Sequence, residues 1–259
     1  MPDYLDTLAQ DAKETVAEGY YEASTRLSAY SVSLRKAITE STQNAVITEF
    51  KTASPSRGTI KADFDPAEVA RAMENGGATG ISVLTEPKHF GGSLGYLAKI
   101  REAVRLPILM KDIVVDPIQI EAASRIGANV VLLIEAIFER GYCELFLDEM
   151  ITKAHSRRLE VLLETHNEYE FEYAVETDTD LVGINNRDLR TLKVDLGITE
   201  RILSKHESRS KIVVSESGVM TPADLLFLRG CGAQAFLIGS SVMMADRIEQ
   251  KVKEFVTAR

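Results

Sequence analysis

Several kinds of chemistry have too few residues here to build them. Only two cysteines occur, Cys143 and Cys231, far apart and in no metal-ligand spacing. That excludes a disulfide framework and argues for a reducing compartment without structural zinc. The histidines His89, His155, His166 and His206 share no common spacing, so neither a metal site nor a Ser/His/Asp triad is legible. No apolar run approaches the roughly 18 residues of a membrane span. The first residues, Met1-Pro2-Asp3-Tyr4-Leu5-Asp6, have neither a basic start nor an apolar core, and the expectation is a cytoplasmic protein with no membrane partner. Positive charge is also short: 30 Lys and Arg stand against 39 Asp and Glu, a net charge of −9. Wholesale nucleic-acid binding needs a basic face and is disfavoured. An anionic substrate must be met by a local basic pocket.

What is present is ordinary for a globular protein. The 259 residues are 45% hydrophobic and 27% charged, which allows one large domain with a sizeable core. In residues 1–43, Leu5, Leu8, Ala12 and Val16, then Leu27, Tyr30, Leu34 and Ile38, recur at helical spacing. Two amphipathic helices broken near Gly19 are predicted, an extension packed on the main domain.

Residues 44–259 repeat a unit of short apolar run, polar loop and helical segment. Strands are predicted near Val46–Phe50, Gly80–Leu84, Pro107–Lys111, Val130–Ile134, Glu160–Glu164, Leu181–Asn185, Ile212–Ser215 and Ala235–Ile238. Asp65-Pro66, Asp116-Pro117 and Thr221-Pro222 supply cap and proline for the helices between them. Val130 to Ile134 and Ala235 to Ile238 are apolar on both faces, as buried parallel strands require. Strict alternation of this kind predicts an α/β fold, a closed (β/α)8 TIM barrel with an N-terminal helical extension. An open doubly wound sheet is the alternative, and no Gly-x-Gly-x-x-Gly follows the first strand to favour it.

A barrel gathers the carboxyl ends of its strands at one mouth. There the sequence places Glu49 and Lys51, Lys111, Glu164, Asn185 with Arg187, and Glu216. Glu49 and Lys51, two apart, share one face of a strand. Taken alone they read more readily as a surface ion pair, the commoner fate of a Glu and a Lys two apart. Together the three acids and three bases make a near-neutral network, which a partly buried charged cluster needs, and proximity of Lys to Glu shifts proton affinities toward acid–base use. Ser217-Gly218 and Gly239-Ser240, after the last two strands, let backbone N–H groups approach an anion where barrels often bind phosphate. Tight turns that merely need glycine are the plainer reading. Phe90, before Gly91-Gly92, lines an aromatic pocket or anchors a loop.

The segments Glu49-Phe50-Lys51-x-x-Ser54-Pro55-Ser56-x-Gly58, Phe90-Gly91-Gly92-Ser93, Leu109-Met110-Lys111-Asp112, Leu163-Glu164-Thr165-His166, Ile184-Asn185-Asn186-Arg187-Asp188-Leu189, Glu216-Ser217-Gly218 and Phe236 to Ser241, in that order, closely resemble the indole-3-glycerol-phosphate synthase family. The resemblance spans nearly the whole chain. It implies a lyase of tryptophan biosynthesis that uses no metal and no cofactor, closing the ring of 1-(2-carboxyphenylamino)-1-deoxyribulose 5-phosphate with loss of carbon dioxide and water. It further implies Glu49, Lys51, Lys111, Glu164, Asn185 and Glu216 as catalytic, Lys111 as proton donor and Glu164 as base. Ser54, Phe90, Ile113, Leu132, Arg187 and Leu189 would hold the substrate, and Lys51, Ser217, Gly218, Gly239 and Ser240 its phosphate. The loop through Ser54-Pro55-Ser56 is expected to cover the substrate. Ile113 stands where many members have phenylalanine, which makes that wall of the ring site aliphatic. A monomer is expected, with a homodimer as the alternative. The competing functions are another phosphosugar enzyme on this scaffold and a catalytically silent phosphate-binding barrel.

Overall fold

The structure, a computed structural model, describes residues 3–22, 27, 30, 32–54, 58–59, 65–189 and 191–259. Eight parallel strands form a closed barrel: β1 (Ala45–Phe50), β2 (Gly80–Leu84), β3 (Ile108–Lys111), β4 (Val130–Ile134), β5 (Glu160–Thr165), β6 (Leu181–Asn185), β7 (Ile212–Glu216) and β8 (Ala235–Ile238). Each pairs with its sequence neighbours, and β8 returns to β1 in the register Ala45↔Ala235 through Thr48↔Ile238. Closure leaves no barrel strand with an unpaired edge. The predicted strands therefore hold to within a residue or so at their ends. Entry to the intervening helices is fixed as the sequence suggests. Asp65 accepts from the Ala67 N–H, and Asp116 with Gln119, and Thr221 with Asp224, close reciprocal capping boxes.

Strand alternation divides the core into two layers. Val46, Ile81, Val83, Met110, Val131, Leu133, Leu163 and Ile184 face the surrounding helices. Ile47, Leu109, Leu132, Leu162, Leu181, Val214 and Leu237 fill the barrel itself. One step of two residues further along the same inward faces lie Glu49, Lys111, Glu164 and Glu216, and Asn185 stands four beyond Leu181. The apolar filling thus gives way at the mouth to a polar layer. This is the period-two rule acting on five strands at once.

The segments before β1 close the two ends of the barrel. Helix α1 (Tyr4–Ala17), capped reciprocally by Asp3 and Asp6, inserts Leu5, Leu8, Ala9 and Ala12 into the same apolar cluster as Ile113, Leu132 and Ile134. It lies over the mouth. Its flanks are tied by Asp3 and Asp6 to Arg140 at 2.7 and 2.8 Å, by Glu14 to Lys88 at 3.1 Å, and by Asp11 to His89 Nε2 at 2.6 Å. Helix α2 (Leu34–Thr39) sits at the opposite end. Glu160, the first residue of β5, accepts from the Leu34 and Arg35 N–H groups, and Leu34 occupies the space beside Gly80, where a Cβ would come within 2.8 Å. The helical spacing of Leu27 and Tyr30 is not realised as helix. Their backbones are committed elsewhere, Leu27 N–H to the Arg125 carbonyl and the Tyr30 carbonyl to Asn129 Nδ2, and Ser33 starts α2 only afterwards by capping Lys36.

Candidate active site

The barrel mouth holds a cavity of about 370 Å3. Its floor is the polar layer: Glu49, Lys51, Lys111, Glu164, Asn185 and Glu216 all line it. Lys111 Nζ lies 2.8 Å from Glu164 Oε2 and 3.0 Å from Glu216 Oε2. Asn185 Nδ2 donates to the other oxygen of Glu164 at 2.9 Å. Glu49 Oε1 meets Lys51 Nζ at 2.7 Å, with side-chain exposures of only 7% and 14%. The surface-pair reading of Glu49 and Lys51 is thereby ruled out. They form one wall of a desolvated cluster.

Burial and charge pull the proton affinities apart. Burial opposes the charge of Lys111, but Glu164, Glu216 and Glu49 outweigh it and hold the ammonium well above its ordinary range. Burial also opposes ionisation of Glu164, and there Lys111 and His166 win, keeping the carboxyl well below the ordinary carboxylate range. For Glu216 burial prevails over the attraction of Lys111, and the charge of Glu164 adds to it, so the carboxyl is raised to about 7. One carboxylate of the cluster is firmly ionised while its neighbour titrates near neutrality. Two titratable groups driven apart in this way make the cluster a candidate for acid–base chemistry.

The remaining predicted residues fall around this floor. Phe90, Ile113, Leu132 and Leu189 supply apolar wall, and Arg187 lines the cavity with its Nη1 on the Leu192 carbonyl at 2.9 Å. Ser217, Gly218, Gly239 and Ser240 line the side toward β7 and β8. Ser217 and Gly218 both take left-handed backbone, φ 64° and 94°. A Cβ on Gly218 would also strike Val194 at 2.5 Å. A Cβ on Gly239 would come within 2.5 Å of Glu49 Oε1 and 2.9 Å of Lys51 Nζ, so that glycine leaves room for the ion pair. Ser54 pairs with Gly58 through a two-residue strand; its side chain, together with Pro55 and Ser56, lies outside the described residues.

Other contributors were not foreseen. Tyr4, Leu5 and Leu8 of α1 line the cavity, so the extension is part of the site's wall and not only a cover. Its amphipathic spacing carried that signal, without saying what the apolar face would meet. Asp112, beside Lys111, is buried and accepts from Tyr21 Oη at 3.0 Å, Thr85 Oγ1 at 2.5 Å and the Ile113 N–H at 2.8 Å. Burial raises its carboxyl to about 6. Asp112 thereby joins the end of β3 to the segment that follows α1. Among the described residues no group of three or more His, Cys, Asp or Glu side chains is placed to hold a metal ion, and no helix is long and apolar enough to cross a membrane.

A closed parallel barrel with a lysine–carboxylate cluster at the strand ends defines a (β/α)8-barrel protein whose candidate site lies at the carboxyl-terminal mouth. Its lineage is specific. The chain belongs to the indole-3-glycerol phosphate synthase family, whose model matches residues 4–255. It is similar to the indole-3-glycerol phosphate synthases of Neisseria gonorrhoeae, 48% identical over 208 residues covering 80% of this chain and 78% of the relative, and of Caldanaerobacter subterraneus, 45% identical over 215 residues covering 82% and 80%. That of Methanocaldococcus jannaschii is 44% identical over 227 residues, 86% of this chain and 82% of the relative. Among solved structures, a thiamine phosphate pyrophosphorylase from Pyrococcus furiosus superposes with a TM-score of 0.61 at 16% identity, covering 86% of this chain and 96% of that one. At that identity the likeness is one of fold alone.

Proposed function

We propose that this protein converts 1-(2-carboxyphenylamino)-1-deoxyribulose 5-phosphate to indole-3-glycerol phosphate, releasing one carbon dioxide and one water, in tryptophan biosynthesis. The single observation that carries the reading is the Lys111 ammonium held between Glu164 and Glu216 within 3.0 Å, inside a barrel of this family.

The aromatic carbon bearing the carboxylate attacks the ketone, and Lys111 gives its proton to the oxygen that develops negative charge. Loss of carbon dioxide restores the aromatic ring. Once Lys111 is a neutral amine, Glu164 has lost the ammonium beside it and becomes a stronger base, ready to remove the ring proton as the remaining hydroxyl leaves as water. Glu216, 3.0 Å from Lys111 and titrating near 7, returns a proton to the amine. Lys51, oriented by Glu49, protonates the leaving hydroxyl, or it holds the phosphate while the reprotonated Lys111 supplies that proton. Asn185 fixes Glu164 and hydrogen-bonds the reacting oxygens, and Arg187 takes the carboxylated end. Phe90, Ile113, Leu132 and Leu189 enclose the ring, with Ser54 at the loop side. The phosphate rests on Ser217, Gly218, Gly239 and Ser240. Each proton step has a side chain to carry it, so the scheme calls for no cofactor.

The same reading takes residues 1–43 as an extension on a 44–259 barrel, and the protein as a cytoplasmic monomer without nucleic-acid or membrane partners. Incubation of the purified protein with the carboxyphenylamino-deoxyribulose phosphate is expected to produce indole fluorescence. No product at high enzyme concentration, with substrate still bound, would favour a silent phosphate-binding barrel instead. Sedimentation as a dimer at micromolar concentration would overturn the monomer.

A further inference from the structure

Behind Glu164, outside the cavity lining, stands a buried imidazole that the proton steps above do not use. His166 Nε2 lies 3.1 Å from Glu164 Oε1, close enough for a strong charge contact though not aligned as a hydrogen bond. Its Nδ1 is 3.2 Å from Glu170 Oε2, and that same oxygen accepts the His166 backbone N–H at 2.7 Å. Glu170 is fixed in turn, accepting from Asn167 Nδ2 while its own N–H is capped by Asn167 Oδ1. A carboxylate therefore faces each nitrogen of one ring. A neutral imidazole has a proton on one nitrogen and a lone pair on the other, so either tautomer would press a lone pair against a carboxylate oxygen. Only the imidazolium meets both carboxylates without turning a lone pair toward either.

We propose that His166 and Glu170 are a positioning pair for the proposed ring-closing reaction: Glu170 holds His166 as an imidazolium, which orients the Glu164 carboxylate and keeps it ionised for proton removal. The inference rests on the functional reading above. Two cations then flank Glu164, with a division of labour between them. Lys111 on Oε2 gives up its charge during the reaction, while His166 on the Oε1 side keeps its own, so the carboxylate stays in place when the ammonium is discharged. The surroundings of the ring agree. Burial opposes its charge, but Glu164 and Glu170 more than compensate, raising it to about 9. The charged groups that face this cluster are Lys111 and Glu216 across Glu164, Glu170 from the helix Glu168–Glu176, and Glu135 from the end of β4, whose carboxyl interacts with both His166 and Glu170.

Two readouts test the pair. In histidine labelled with 15N, the His166 ring is expected to remain doubly protonated at pH 8, where an ordinary histidine is neutral, and His166→Gln should remove that signal. A neutral His166 at pH 7 in the full chain would overturn the proposal. In kinetics, His166→Gln is expected to lower kcat by about 10- to 100-fold with KM nearly unchanged. It should also move the acidic limb of the kcat profile up by about one pH unit, because an adjacent cation no longer favours the Glu164 carboxylate. Glu170→Gln keeps the ring and should move the limb the same way, serving as the second variant if His166→Gln does not fold. A folded variant with an unmoved limb would reduce the pair to a structural role and reject the proposal. Absence of turnover in the unaltered protein would instead remove the reaction, and with it this role, even where the 15N signal shows the imidazolium.

Discussion

Gly183 and Glu216 share one volume at the barrel mouth. A Cβ placed on Gly183 would overlap Glu216 Oε1, with the Cα of Glu164 3.5 Å away on the other side. The inward faces of β5, β6 and β7 bring the two carboxylates onto Lys111 only because the strand between them carries no side chain at that position. Gly183→Ala is expected to push the Glu216 carboxylate off Lys111, lowering kcat by about 10- to 100-fold with a smaller change in KM. Steady-state kinetics on the folded variant check this.

Lys111 has a structural consequence as well as a chemical one. Its removal leaves Glu164 and Glu216 buried together without their shared ammonium, and stripping one partner from a buried pair costs about 3–5 kcal/mol. Lys111→Met is expected to lose about 1,000-fold or more in turnover. It should also be less stable at pH 8 than at pH 5, since carboxylates without a cation take up protons and the benefit fades as pH rises. Adding Glu216→Gln should restore much of the stability and none of the turnover. Denaturant unfolding at the two pH values separates these effects.

Glu135 sits where burial and neighbouring acids disfavour its charge. It is 4% exposed, one carboxylate oxygen has no partner, and burial together with Glu170 and Glu139 raises its carboxyl from the ordinary 4.5 to about 7. A carboxyl raised on folding favours the native state while protonated and penalises it once pH passes through the raised value. Glu135→Gln is therefore expected to stabilise the protein at pH 8 by about 1–3 kcal/mol, with the gain gone below about pH 4.5. Thermal unfolding across that range decides it.

Helix α1 should report on both folding and binding. Leu5 is fully buried yet lines the cavity. Leu5→Ala is expected to cost about 2–4 kcal/mol of stability and to raise KM by about 10-fold through lost apolar contact, with kcat less affected. An unchanged KM would show that α1 covers the mouth without touching substrate.

Much of the architecture was legible because it rests on periodicity. Short apolar runs alternating with capped helical segments give a parallel barrel, and a barrel dictates that residues ending its strands meet. That logic brought Glu49, Lys111, Glu164, Asn185 and Glu216 to one place before any distance was known. The histidines have no mutual spacing that points to His166. Its partners are acids at i−2 and i+4, so a Glu-x-His-x-x-x-Glu reading of residues 164–170 would have found it. Leu27 and Tyr30 misled in the opposite sense, carrying helical spacing while their backbone hydrogen bonds go to the base of the barrel.

The sequence by itself determined the fold, the family and the roster of charged groups at the mouth, since these follow from the chemistry and order of residues along the chain. Only the tertiary structure decided how that roster is wired. Lys111 falls between Glu164 and Glu216, Gly183 clears space for one of them, His166 backs the other, and α1 supplies part of the wall. Glu49 and Lys51, two apart in sequence and taken alone more readily a surface pair, are shown by their burial not to be one. Proton affinity depends on burial and on charges brought in from other strands, and neither is written in the order of residues along one strand.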